Sequence, residues 1–185
     1  MFVAVRKRLR WWELAGFVFV SVMGTLLQYL FRWSGESTLV AAFAAVNEST
    51  WEHMKMLYLP FFLFTMVEFT VFAEPFRNYF AAKAASGVLA LLMIPVLFYT
   101  LSGALGTLPA WANVTIFYVA AAAAYIVSYR LLVTLSLRGT PLQLAGFALL
   151  WGLALLFVLC SYRAPALPLF RDPLTQTYGI PRPVA

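Results

Sequence analysis

The stretch Trp12–Phe31, WELAGFVFVSVMGTLLQYLF, is predominantly apolar and follows the basic segment Arg6–Arg10, RKRLR. About 20 apolar residues are enough for an α-helix to cross the hydrocarbon core of a bilayer. The stretch is longer than the apolar region of a typical signal peptide, and no small-residue cleavage site follows closely. We therefore interpret it as a retained membrane-spanning helix.

The composition of the whole chain agrees with this interpretation. Of its 185 residues, 63% are hydrophobic and 11% are charged, and the mean hydropathy is +0.85. Soluble domains are about half apolar and about a quarter charged, so this composition excludes a soluble globular protein. Four further apolar runs follow, at Met56–Ala73, Tyr79–Tyr99, Ala112–Val133 and Leu142–Ser161. The sequence predicts an all-α fold, a polytopic bundle of five transmembrane helices in one integral membrane domain over residues 1–185.

Basic residues predict the orientation of the bundle in the cell membrane. Arg6–Arg10 precede the first span and place the N-terminus in the cytoplasm, because cytoplasmic segments carry the excess of lysine and arginine. With five spans, Arg77 and Arg138 then fall in cytoplasmic turns, whereas the C-terminal tail, residues 162–185, lies outside. Basic residues at the ends of spans suit anionic lipid headgroups as partners and do not indicate nucleic-acid binding.

A sixth apolar run, Thr38–Val46, is too short to span. Its nine residues would extend roughly 14 Å as a helix. We expect a short helix over 38–46 that is either re-entrant or interfacial. Asn47–Thr50, NEST, offers polar side chains of the kind that cap helices, and it predicts a break at Asn47 before a new helix enters the second span.

The segment Val46–Met56, VNESTWEHMKM, has a structural interpretation. Ser49 and Glu52 have the S-x-x-E spacing of a capping box, in which the glutamate reaches back to the backbone N–H of the serine. Trp51 would then be an anchor at the membrane interface, and Lys55 would extend its ammonium group toward water.

The same segment also has functional interpretations, because it contains the single histidine and two of the seven acidic residues. Glu48 and Glu52 could form an acid–base pair, with His53 as an acid or a metal ligand. A metal site is poorly supported, since the chain has no H-E-x-x-H motif and no second histidine. A less demanding hypothesis is a pocket for a small polar ligand, formed by the following residues: Arg32, Asn47, Glu48, Glu52, His53, Lys55, Asp172 and Tyr178.

Glu68 and Lys83 are ionisable residues inside predicted spans, where charge is unfavourable and often functional. Glu68 lies near the end of the second span and Lys83 near the start of the third. Because a short turn connects these antiparallel helices, both side chains reach a similar depth. We expect an intramembrane ion pair that holds the two helices together.

Two segments carry a resemblance to a known family. Asn47–Lys55, NESTWEHMK, resembles the signature of a family of small multi-pass prokaryotic membrane proteins of unknown function, and Phe170–Ile180, FRDPLTQTYGI, resembles its C-terminal motif. The resemblance implies that the two segments belong together. It identifies neither a reaction nor a cofactor, and the cofactor stays unknown.

Three function classes therefore remain. The first is binding or transport of a small solute, ion or lipid headgroup in an outer polar pocket. The second is an intramembrane hydrolase, with or without a metal, that uses Glu48, Glu52 and His53. The third is a scaffold subunit of a larger complex.

Overall fold

The computed structural model describes residues 2–72, 76–134 and 136–180. The all-α prediction is confirmed for these residues. Within these ranges, five helices are long and apolar enough to cross a membrane, which indicates a membrane-embedded protein. The helices are α1 (Phe2–Trp33), α2 (Thr38–Ala41), α3 (Thr50–Phe72), α4 (Tyr79–Leu105), α5 (Ala110–Thr134) and α6 (Thr140–Tyr162), followed by a 3₁₀ turn at Pro168–Phe170.

Contacts between helices show that the long helices alternate in direction. At one end, the Lys83 ammonium in α4 contacts Glu13 near the start of α1. At the other end, Lys55 near the start of α3 contacts Ser161 near the end of α6. We call the first the N-terminal end of the bundle. We call Asn47–Lys55 the motif, and the second end, where it lies, the motif end.

The short apolar run differs from the prediction of a helix over 38–46. Helix α2 ends at Ala41, and the backbone N–H of Ala45 donates instead to the carbonyl of Leu27 in α1, at 3.1 Å. Ala44 is fully buried, whereas Phe43 is 56% exposed. The helix stops because the chain turns inward to pack on α1. Whether the segment is re-entrant or interfacial stays a prediction.

Glycine allows α6 to pack directly against α4. A Cβ atom on Gly146 would lie 2.7 Å from both the carbonyl carbon and the carbonyl oxygen of Phe80. Backbones can approach this closely in a membrane only where one side chain is missing, which is how small residues promote helix association in lipid. Gly152, on the same helix, has nothing within 4 Å of such an atom.

We predict that Gly146→Ala destabilises the protein and that Gly152→Ala does not. The added methyl group at position 146 must push α6 away from α4, and overpacking of this kind lowers the free energy of unfolding by about 1–3 kcal/mol. At position 152 the change removes a flexible helix residue and adds up to about 1 kcal/mol of stability. Unfolding titrations in detergent micelles measure both, and equal effects of the two substitutions would contradict the proposed close packing.

Candidate functional site

Helix α3 begins with half of the predicted capping box. The backbone N–H of Glu52 donates to Ser49 Oγ at 3.4 Å. The Glu52 carboxylate does not return to the Ser49 N–H, which donates to Asn47 Oδ1 at 2.9 Å. Glu52 Oε2 instead accepts the N–H of Val46 at 3.1 Å. The predicted hydrogen bond from the Ser49 N–H to Glu52 is therefore wrong, because that N–H donates to Asn47.

The Glu52 carboxylate is buried because it forms an ion pair with Lys55. The Lys55 ammonium group lies 2.6 Å from Glu52 Oε2, and it donates to the Ala41 carbonyl at 3.0 Å and to Ser161 Oγ at 2.7 Å. The side chain is fully buried, so the prediction that Lys55 extends to water is wrong. An ammonium group has three N–H donors, and each of them meets an acceptor inside the protein.

Trp51 is also inside the protein and is not an anchor at the membrane interface. Its ring packs against Phe157 of α6 at 4.4 Å and against Phe170 of the tail at 4.5 Å, with 7% of the residue exposed. Asn47 Nδ2 adds a hydrogen bond to the Gly179 carbonyl at 2.9 Å. The tail thus folds back onto the motif, through Asn47 and Trp51.

Of the eight residues predicted to line the pocket, Arg32, Asp172 and Tyr178 lie elsewhere, as do Asn47, Glu52 and Lys55. Asp172 is buried in the tail, where it accepts the Leu174 N–H at 2.9 Å and the Thr175 hydroxyl at 2.8 Å. Tyr178 pairs with Arg171 in an isolated backbone bridge. The Arg32 side chain is exposed, and it makes no ion pair within the described part of the chain.

A pocket of about 270 Å³ lies at the motif end between α1, α3, α5 and the loop before α3. Glu48 and His53 are its ionisable residues. The remaining lining residues are Gly24, Thr25, Gln28 and Tyr29 from α1, Met56 from α3, and Asn113, Val114, Phe117 and Tyr118 from α5.

Glu48 belongs to this pocket and Glu52 does not. Gln28 Nε2 donates to Glu48 Oε1 at 2.8 Å, which leaves Oε2 facing His53 Nε2 at 3.8 Å. Helix α3 starts only at Thr50, so Glu48 is not on its face. The two carboxylates therefore point to different partners, and the predicted acid–base pair of Glu48 and Glu52 is not formed.

The contacts of His53 determine which of its nitrogens carries a proton. Nδ1 lies 2.9 Å from the Ser49 carbonyl oxygen. Because a carbonyl oxygen can only accept, Nδ1 is the protonated nitrogen, and Nε2 is the one free to gain or lose a proton. Nε2 faces Glu48 across a distance too long for a direct hydrogen bond.

Two other residues that line the pocket have an acceptor that no described residue uses. The Thr25 hydroxyl donates to the Ser21 carbonyl at 2.8 Å, so its 3.1 Å contact with the Tyr118 hydroxyl uses the Tyr118 proton. The Tyr118 oxygen thus keeps its lone pairs for another donor. Asn113 Oδ1 is buried without a hydrogen-bond partner among the described residues.

The sequence leaves His53 as a candidate metal ligand. Within residues 2–72, 76–134 and 136–180, no group of three or more histidine, cysteine, aspartate or glutamate side chains is placed to hold a metal ion. The partners that the structure gives His53 are a backbone carbonyl and Glu48.

A second polar cluster lies at the N-terminal end of the bundle. The structure brings Lys83 and Glu68 into contact, and it adds Glu13, whose Oε1 lies 3.0 Å from the Lys83 ammonium. Glu13 was not predicted. It lies within an apolar run, as Glu68 and Lys83 do, and this signal is sufficient to identify it.

We predict that Lys55→Met destabilises the protein strongly and that adding Glu52→Gln restores much of the loss. Removing one partner of a buried ion pair leaves an uncompensated charge, which lowers the free energy of unfolding by about 3–5 kcal/mol. The double variant removes both charges. Unfolding titrations in detergent compare the variants, with exposed Arg32→Ala as the control that should change stability by less than about 0.5 kcal/mol. A double variant that is less stable than Lys55→Met would contradict this role.

One comparison with known protein families gives a match over nearly the whole chain. A family model described as a family of unknown function (DUF6512) matches residues 1–180. No curated protein and no solved structure matches the chain. Because the match covers all five long helices, the motif and the tail as far as residue 180, the chain belongs to this family of unknown function (DUF6512).

Proposed function

We propose that the pocket at the motif end binds a small organic ammonium group, either of a free amine or of a lipid headgroup. The observation that carries the proposal is the acidic side chain of Glu48 in the lining of the pocket. Glu48 supplies a carboxylate, and neither lysine nor arginine is found among the described residues that line the pocket. A primary ammonium offers a positive charge and three N–H donors, which complement this wall.

The geometry around Glu48 supports a ligand that lies between two side chains. Gln28 holds one carboxylate oxygen, and the other is 3.8 Å from His53 Nε2. A donor placed there would reach Glu48 Oε2 and, when His53 is neutral, Nε2 as well. Tyr29 and Tyr118 add aromatic faces, which attract cations by about 0.5–2 kcal/mol.

Binding is better supported than transport because a layer of buried apolar residues lies between the two ends of the bundle. Val20, Phe61 and Ala121 are each fully buried and lie between the pocket and the Glu13 cluster along α1, α3 and α5. A transported solute would have to open this layer. We therefore propose that the ligand enters and leaves at the motif end, which we expect to be the outer side of the cell membrane.

A second candidate function is acid–base catalysis in the same pocket. It is favoured by the fixed His53 tautomer, since Nδ1 is held by Ser49 and Nε2 faces a carboxylate, as in many proton-transfer sites. Glu52 has no part in it, because Lys55 holds that carboxylate. A catalyst would convert the bound amine compound chemically, and His53→Ala would stop the conversion while binding persists.

We predict that ethanolamine and short-chain phosphatidylethanolamine raise the unfolding temperature of the purified protein, and that Glu48→Gln abolishes the effect. A ligand that binds only the folded state stabilises it by about 2.7 kcal/mol at one hundred times its dissociation constant. Thermal unfolding in detergent measures the shift. Stabilisation by the phospholipid alone identifies a headgroup as the ligand source, and equal stabilisation by ethanolamine identifies a free amine.

The controls separate this site from general charge effects. Glu36→Gln changes an exposed carboxylate near the end of α1 and should preserve the full shift. Choline has no N–H donors and should stabilise less than ethanolamine. The proposal fails if neither ethanolamine nor the phospholipid stabilises the protein, if Glu48→Gln responds like the wild type, or if choline stabilises the protein as much as a stabilising ethanolamine does.

A further inference from the structure

Four helices direct polar side chains to one buried point at the N-terminal end. Lys83 of α4 contacts Glu68 of α3 and lies 3.0 Å from Glu13 Oε1 of α1. Ser128 of α5 donates to the same Glu13 oxygen at 2.7 Å. Glu13 is 4% exposed, and Glu68, Lys83 and Ser128 are fully buried.

The charges in this cluster do not balance. Two carboxylates share one ammonium group, so the cluster carries a formal charge of −1 when all three groups are ionised. Glu13 Oε2 and Glu68 Oε1 are both buried and have no hydrogen-bond partner among the described residues. Buried polar atoms without partners are strongly disfavoured. Where two carboxylates lie close together in a buried site, one of them holds a proton.

Glu13 connects the cluster with the surface. It lines a groove of about 720 Å³ between α1 and α5, together with the apolar surfaces of Trp11, Leu14 and Ile126. Lys7, Arg10 and Arg130 also line this groove, and all three are exposed. Glu68 does not line it. An ion that enters through this groove therefore meets Glu13 before Glu68.

We propose that Glu13, Glu68 and Lys83 form a binding site for one exchangeable proton, which enters through the groove between α1 and α5. Uptake forms an O–H bond at Glu13 Oε2, and the charge of the cluster changes from −1 to zero. The site is independent of the amine pocket at the other end of the bundle. The titratable, charged and hydroxyl groups around Glu13 are Glu68 of α3, Tyr79 and Lys83 of α4, Tyr125, Ser128, Tyr129 and Arg130 of α5, and Lys7 and Arg10 of α1.

Infrared difference spectroscopy of the full chain in lipid nanodiscs tests the proposal. The C=O stretch of a protonated carboxylic acid is separate from the carboxylate bands, so one such band should disappear as the pH rises. Glu13→Gln and Glu68→Gln should each remove it, because each leaves one carboxylate facing one ammonium. Glu36→Gln changes an exposed carboxylate at the far end of the bundle and should retain the band.

A milder variant keeps the test decisive if the glutamine variants do not fold. Ser128→Ala removes a hydrogen bond that favours ionised Glu13, so the band should persist to higher pH. A band that Ser128→Ala leaves unmoved would place the proton elsewhere and overturn the proposal. The absence of a pH-dependent acid band in the wild type would overturn it as well. So would a band removed by sodium at constant pH, because the ligand would then be a metal cation.

Discussion

The buried Lys55 ammonium is the contact on which the motif end of the bundle depends. Its acceptors come from α2, from α6 and from Glu52 of its own helix. Losing one of them would leave a buried charge poorly compensated, which is unfavourable by several kcal/mol. Three separate parts of the chain are thus held at one point.

This ion pair also positions a pocket that it does not touch. Glu52 accepts the Val46 N–H, so the loop before α3 is fixed from one side, and Asn47 fixes it from the other through Ser49 and Gly179. Glu48 lies in this loop, where Gln28 and His53 meet it. The motif therefore divides into a supporting set (Asn47, Ser49, Trp51, Glu52 and Lys55) and a pocket set (Glu48 and His53).

The two ends of the bundle use the same residue types with different charge balance. At the motif end one lysine faces one glutamate, and every N–H of the lysine has an acceptor, which suits a structural contact. At the N-terminal end one lysine faces Glu13 and Glu68, and one oxygen of each glutamate has no partner in the described part of the chain. The excess carboxylate supports the proposed proton site there.

Much of the fold could be predicted because membrane spans leave a strong signal. Long apolar runs locate the five helices, since a bilayer admits only segments that satisfy their own backbone hydrogen bonds. The depth of Glu68 and Lys83 followed from a short connection between antiparallel helices. Glu13 carries the same signal as Glu68 and Lys83, but its contacts with α4 and α5 are formed only by packing. Lys55 was misread because its acceptors at Ala41 and Ser161 are brought together only by packing.

The sequence by itself thus determined that the chain forms five apolar helices, and it marked VNESTWEHMKM as the segment where polar residues concentrate. Only the tertiary structure decided the role of each residue there. Local patterns such as S-x-x-E predict contacts between residues that are close in sequence. The acceptors of a buried ammonium group come from any part of the chain that packs around it. Glu52 is therefore buried in an ion pair with Lys55, whereas Glu48 lies near His53 and lines the pocket.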